Sequence, residues 1–186
     1  MTQFFDFAVL GTSLSAPGYD ITYVPNLIRA LKPGSEDTVR CYNFAVSGGN
    51  SGTTLSVADR VINLRPKAVL IETQTNDCAA LSAAQSTSNI NALIDQLQAG
   101  TSGTAIFLMT MNKVLGTQAS SSRAQLETFN DIYRAVALAQ GVTLLDLYPL
   151  WASATSVDIP DDLHPTVAAV TARSVPAIKA ALQALM

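Results

Sequence analysis

Five short apolar runs, starting roughly 30 to 40 residues apart, set the strongest limit on how this chain folds. They are FFDFAVL at 4–10, VRCYNFAV at 39–46, KAVLIET at 67–73, TAIFLMT at 104–110 and VTLLDLY at 142–148. The middle runs are nearly continuous rather than alternating, which is the pattern of strands covered on both faces. Helical stripes lie between them: Ile90, Leu93, Ile94 and Leu97, then Leu126, Phe129, Tyr133 and Val136. A shorter one runs through Leu55, Val57, Ala58, Val61 and Ile62. Each gap therefore holds the crossover helix that a parallel strand pair requires. The expected product is a five-stranded parallel sheet in a three-layer α/β/α sandwich. A length of 186 residues suits one domain, 1–186, rather than two. The closing helix is predicted to start at Pro165, with Pro176 kinking or restarting it.

Charge removes several function classes. The net charge is −3 and no block of Lys or Arg occurs, so neither nucleic acid nor an anionic membrane is an expected partner. No run approaches the length of a membrane span. Residues 1–10 lack a basic segment and hold Asp6, so no secretory signal is read there. That reading leaves the cytoplasm, or a place in a larger assembly such as a virion, open. Only 13% of residues are charged, and mean hydropathy is +0.27. A second copy covering apolar surface, a homo-oligomer, is thus one partner to expect. Cys41 and Cys78 are too few for a disulfide framework, and Cys41 reads as a buried free thiol in a strand.

Open parallel sheets bind ligands beyond the C-terminal ends of their strands. Ser13 follows the first run, SGGNSG (47–52) the second, QTNDC (74–78) the third and MNK (111–113) the fourth. A Ser in a strand–Gly–x–Ser turn suits a nucleophile, or a cap whose hydroxyl accepts a backbone N–H. His164, the single histidine, stands in the polar turn DDLHP (161–165). Asp161, three residues upstream, can turn back to Nδ1, fixing the tautomer that leaves Nε2 free to take a proton. Asp162 is a rival for that role, or a cap. The stretch SGGNSG lacks the spacing of a phosphate loop. It reads as a flexible turn, or as the source of an exposed Gly48 N–H for an oxyanion. Asn76 can form a turn or donate its amide to the same anion.

Taken in order, GTSLS (11–15), VSGGNSG (46–52), QTND (74–77) and DDLHP (161–165) resemble the four blocks of the SGNH/GDSL hydrolase superfamily. The resemblance implies a flavodoxin-like strand order of 2-1-3-4-5 and serine-dependent ester hydrolysis. Ser13 would be the nucleophile and a backbone donor to the oxyanion hole. Gly48 and Asn76 would be the other donors, His164 the base and Asp161 its orienter. Two positions depart from the pattern: Thr12 stands where the family usually has Asp, and Gln74 where it usually has Gly. Thr12, Gln74 and Asn112 are the expected substrate contacts, with Met109, Met111 and Lys113 along one wall.

The function expected is a serine esterase acting on small acyl groups, most naturally acetyl, on a small molecule or a carbohydrate. Family precedent also allows a lysophospholipase or thioesterase, and a binding module that kept the fold without turnover. A flavin or nucleotide binder stacking on Tyr148 or Trp151 lacks its phosphate loop. One histidine is poor provision for catalytic zinc. No metal or organic cofactor is expected.

Overall fold

The computed structural model describes residues 4–18, 22–32 and 38–186. Residues 1–3 of the opening stretch lie outside them. Each apolar run contains a strand: β1 Phe5–Leu10, β2 Val39–Asn43, β3 Ala68–Ile71, β4 Ala105–Thr110 and β5 Thr143–Asp146. All neighbours are parallel, and the order is β2-β1-β3-β4-β5. Between and after them come α1 Val24–Leu31, α2 Ser51–Leu55, α3 Ala58–Leu64, α4 Gln74–Ala80 and α5 Ala83–Gly100. Then follow α6 Gly116–Ser120, α7 Leu126–Gln140, α8 Val167–Arg173 and α9 Val175–Gln183, with a 3-10 turn at Tyr148–Trp151.

The unbroken apolarity of the strands has a direct cause. Successive side chains point to opposite faces, and both faces are covered. Phe7, Val9, Leu70, Phe107 and Met109 join one core with α1, Trp151, α8 and α9. Ala8, Leu10, Val69, Ile71, Ile106 and Leu108 join the other with α3, α5 and α7. The helical stripes are the covering surfaces: Ile90, Leu93, Ile94, Leu97 and Tyr133 are wholly buried.

Helix boundaries depart from expectation in three places. The stripe from Leu55 to Ile62 is two helices, because Val57 leaves helical geometry (φ −113°, ψ 8°). The short α2 stands on a capping box, with the Asn50 side chain accepting from Gly52 and Thr53 N–H. The last helix starts at Val167 rather than at Pro165, since the Thr166 hydroxyl caps it by accepting from Ala169 N–H. Pro176 restarts the chain as expected, in the first turn of α9, where its missing N–H costs little. The stretch 74–78, read as a polar tip, is the start of α4. Among the described residues no helix is long and apolar enough to cross a membrane.

Candidate active site

The chain leaves β1 through Gly11 into a tight turn in which Ser15 and Ala16 N–H both donate to Thr12 C=O. No helix starts at Ser13, so the cap reading fails there. It is the Thr12 hydroxyl that accepts a backbone N–H, from Leu14 at 3.3 Å. Ser13 Oγ instead lies 2.8 Å from His164 Nε2, bridging 151 positions of sequence. His164 Nδ1 lies 2.7 Å from Asp161 Oδ2. The other oxygen of that carboxylate accepts from His164 N–H at 2.6 Å and Leu163 N–H at 3.0 Å. Partial burial opposes ionisation of Asp161, but the bonds from His164 and Leu163 outweigh it and hold the carboxyl below its usual range. Both ring nitrogens of the one histidine are thus engaged.

Asp162, the rival orienter, makes no hydrogen bond to the ring among the described residues. It sits at φ 66°, accepts from Thr117 N–H and hydroxyl, and its C=O takes Leu115 N–H. Its carboxylate fastens the loop carrying His164 to α6.

The ladder between β1 and β2 continues past the strands, with Phe44 N–H on Val9 C=O and Val46 N–H on Gly11 C=O. That continuation carries Gly48 toward the serine turn. Gly48 has φ +75° and open space where a Cβ would go, so its glycine serves backbone conformation rather than room. Among the described residues neither Ser13 N–H nor Gly48 N–H meets a protein acceptor. Asn76, in the first turn of α4, gives one amide hydrogen to Gly49 C=O at 2.9 Å and keeps a second.

Sequence reasoning missed three charged residues behind these groups. Glu72, at the end of β3, is wholly buried and accepts from Thr12 N–H (2.7 Å), the Thr12 hydroxyl (3.0 Å) and the Ser15 hydroxyl (2.6 Å). Gly11 suits this approach, because a Cβ there would collide with the buried Glu72 carboxyl. Asp77 accepts from Ser51 N–H (2.7 Å) and the Ser86 hydroxyl (2.6 Å), pinning the glycine loop to α4 and α5. Arg123, before α7, reaches Asn76. The apolar run ending in Glu72 and the Asn-Asp pair were visible signals for the first two. Nothing near Arg123 marked it.

The expected substrate contacts are corrected. Thr12, Gln74 and Asn112 are each no more than 1% exposed. Thr12 is occupied by Glu72, and Asn112 donates to Leu163 C=O, bracing the histidine loop. The Gln74 amide lies in the interior with no protein partner among the described residues. Met109 and Met111 are core, and Lys113 caps Ala152 C=O at 3.0 Å. Cys41 is a free thiol in β2 that burial pushes up to about 12.

Burial pushes Glu72 up to about 7, against the hydrogen bonds from Ser15 and Thr12, which favour the charge; nearby Asp77 raises it further. The folded protein therefore keeps a proton on Glu72 that the unfolded chain releases near 4.5. The sign follows: between these values the native state binds more protons, so stability falls as pH rises through the window. The loss for this group is about 3 kcal/mol at most. Urea unfolding at pH 5 and pH 8 should show a steeper decline for the wild type than for Glu72→Gln. Equal declines would refute the assignment.

The model of the GDSL-like lipase/acylhydrolase family matches residues 9–171. TesA superposes with a TM-score of 0.78 at 23% identity, covering 97% of this chain and 99% of its own. Axe2, an acetylxylan esterase from Geobacillus stearothermophilus, gives 0.79 at 17% identity, covering 98% and 96%. LAE5, an alpha/beta hydrolase enzyme from the metagenome of Lake Arreo, Spain, gives 0.79 at 18%, covering 100% and 98%. No curated protein sequence matches the chain. Identities this low speak for the shared fold, while the family match spans most of the sequence: the chain belongs to the GDSL-like lipase/acylhydrolase family and is a carboxylic ester hydrolase.

Proposed function

We propose that this protein is a serine esterase that cleaves small acyl esters, acetyl above all, through an acyl-enzyme on Ser13. The observation that carries the reading is the unbroken contact chain Ser13 Oγ–His164 Nε2 (2.8 Å) and His164 Nδ1–Asp161 (2.7 Å). A serine hydroxyl is a weak nucleophile until a base can accept its proton. As Ser13 Oγ bonds to the ester carbonyl carbon, its proton passes to His164 Nε2. Asp161 keeps the Nδ1–H tautomer and stabilises the imidazolium. The carbonyl oxygen becomes an oxyanion, met by Ser13 N–H, Gly48 N–H and the free amide hydrogen of Asn76. Collapse breaks the bond to the alcohol oxygen, which takes the proton from His164. Water then attacks the acyl carbon with His164 again as base, releasing the acid and restoring Ser13.

The small-acyl reading rests on the short path after β3. Helix α4 starts at Gln74 and α5 at Ala83, which leaves no room for a long covering insertion between them. The acetylxylan esterase Axe2 has the same fold, which supports a carbohydrate-borne acetyl group as substrate here. A fluorophosphonate probe should add once, on Ser13, and not at all to Ser13→Ala. Turnover of esters from acetyl to lauroyl, with EDTA present, should be highest at acetyl or propionyl, with acetate released from acetylated xylan. A preference for eight carbons or more would move the protein to the lysophospholipase or thioesterase type. An unlabelled serine without turnover would make it a binding module.

A further inference from the structure

We propose that Arg123 is a positioning residue that holds and polarises the Asn76 amide for the developing oxyanion. The inference rests on the function proposed above and extends it to a residue outside all four sequence blocks. One guanidinium nitrogen of Arg123 donates to Asn76 Oδ1 at 3.1 Å, and its Nε donates to Thr75 C=O at 3.0 Å. The same fork therefore grips the side chain of Asn76 and the backbone of the residue before it.

The Asn76 amide has two faces with opposite roles. With its oxygen committed to Arg123 and one hydrogen committed to Gly49 C=O, the amide cannot flip. The remaining N–H direction is then fixed before any substrate arrives, so it needs no reorganisation as charge builds on the carbonyl oxygen. A cation on the amide oxygen also draws electron density from nitrogen and strengthens that N–H as a donor.

The electrostatics of Arg123 itself point the same way. It is half-buried, and among the described residues it makes no ion pair; its further partners are the neutral Gln118 side chain and the Ser122 hydroxyl. Burial lowers its affinity for its proton, with only Cys78 opposing. Placing a cation in such surroundings without a carboxylate costs stability. A negative charge appearing one amide away is the compensation this arrangement awaits. The other end of the same segment is held by the histidine loop, through Leu115 and Thr117 on Asp162. Residues 115–123 thus tether the base and the oxyanion donor to one strap.

The test is a double-mutant cycle on acetyl-ester turnover. Arg123→Met should lower kcat by about 10- to 50-fold with KM nearly unchanged, the order expected for losing one cation acting across an amide. Arg123→Lys, which keeps the charge but not the fork, should fall between the two. In an Asn76→Ala background, Arg123→Met should change kcat by less than about twofold, because the group it acts through is gone. Additive losses, a loss confined to KM, or an unchanged kcat in Arg123→Met would each overturn the proposal. Thermal unfolding of each variant separates these outcomes from simple destabilisation, and Arg123→Lys keeps the test open should Arg123→Met fail to fold. If Asn76→Ala itself leaves kcat intact, it is the assignment of the oxyanion site that falls. If Asn76→Ala is crippled and Arg123→Met is not, that assignment stands and the role of Arg123 falls alone.

Discussion

Replacing His164 by alanine should lower kcat by about 10⁵- to 10⁶-fold while the protein stays folded, the order seen when a serine hydrolase loses its base. The expected effect is large for a reason particular to this chain: it has no second histidine, so no neighbouring imidazole can substitute. Folding should survive because His164 lies in a surface turn, with its side chain 24% exposed. Asp161→Asn should cost less, because the Asp161 side chain is 55% exposed and water can partly replace it. Its loss relative to the wild type should shrink at acid pH, where protonation of the wild-type carboxyl imitates the substitution. The depressed value of the Asp161 carboxyl places that acid limb below the ordinary aspartate range. Asp162→Asn leaves the ring untouched and should keep most of kcat. Steady-state kinetics on a chromogenic acetyl ester, with circular dichroism as the folding control, decide all three. A crippled Asp162→Asn beside an active Asp161→Asn would reverse the assignment of the orienter.

Asn76→Ala should lower kcat by roughly 10²–10³, or about 3–4 kcal/mol in the transition state, with little change in KM. The split matters because the amide meets full negative charge only as the carbonyl carbon becomes tetrahedral and its oxygen an oxyanion. A raised KM with unchanged kcat would instead mark Asn76 as a contact to bound ester. Stability should fall only modestly, since the variant loses the bond to Gly49 and leaves Arg123 with Thr75 and its other neutral partners. Fluorophosphonate labelling of Ser13 should slow in parallel with kcat.

Much of this was legible in the sequence because it is encoded locally. The strands announced themselves through unbroken apolar runs such as AVLI at 68–71, and the helix faces through Ile90, Leu93, Ile94 and Leu97. The Asp161–His164 contact was readable because a three-residue separation closes within one turn. What escaped was set by distance. Glu72 meets Thr12 across 60 positions, and Arg123 meets Asn76 across 47. No periodicity encodes either. The misplaced substrate contacts share one error. Thr12, Gln74 and Asn112 are polar residues at strand ends, where solvent is the default expectation, but packing buries all three. Helix limits slipped where one side chain decided them, as at the cap Thr166.

The span of 151 residues between Ser13 and His164 has a consequence for biosynthesis. Ser13 leaves the ribosome well before His164, the base proposed for it. At about 5–20 residues per second, roughly 8 to 30 seconds of translation separate them. On the proposed mechanism Ser13 is an ordinary hydroxyl throughout that interval, without the base that would let an ester acylate it. On that reading reactivity arrives only when the segment carrying His164 docks, and a serine-directed probe added to stalled nascent chains would time that docking.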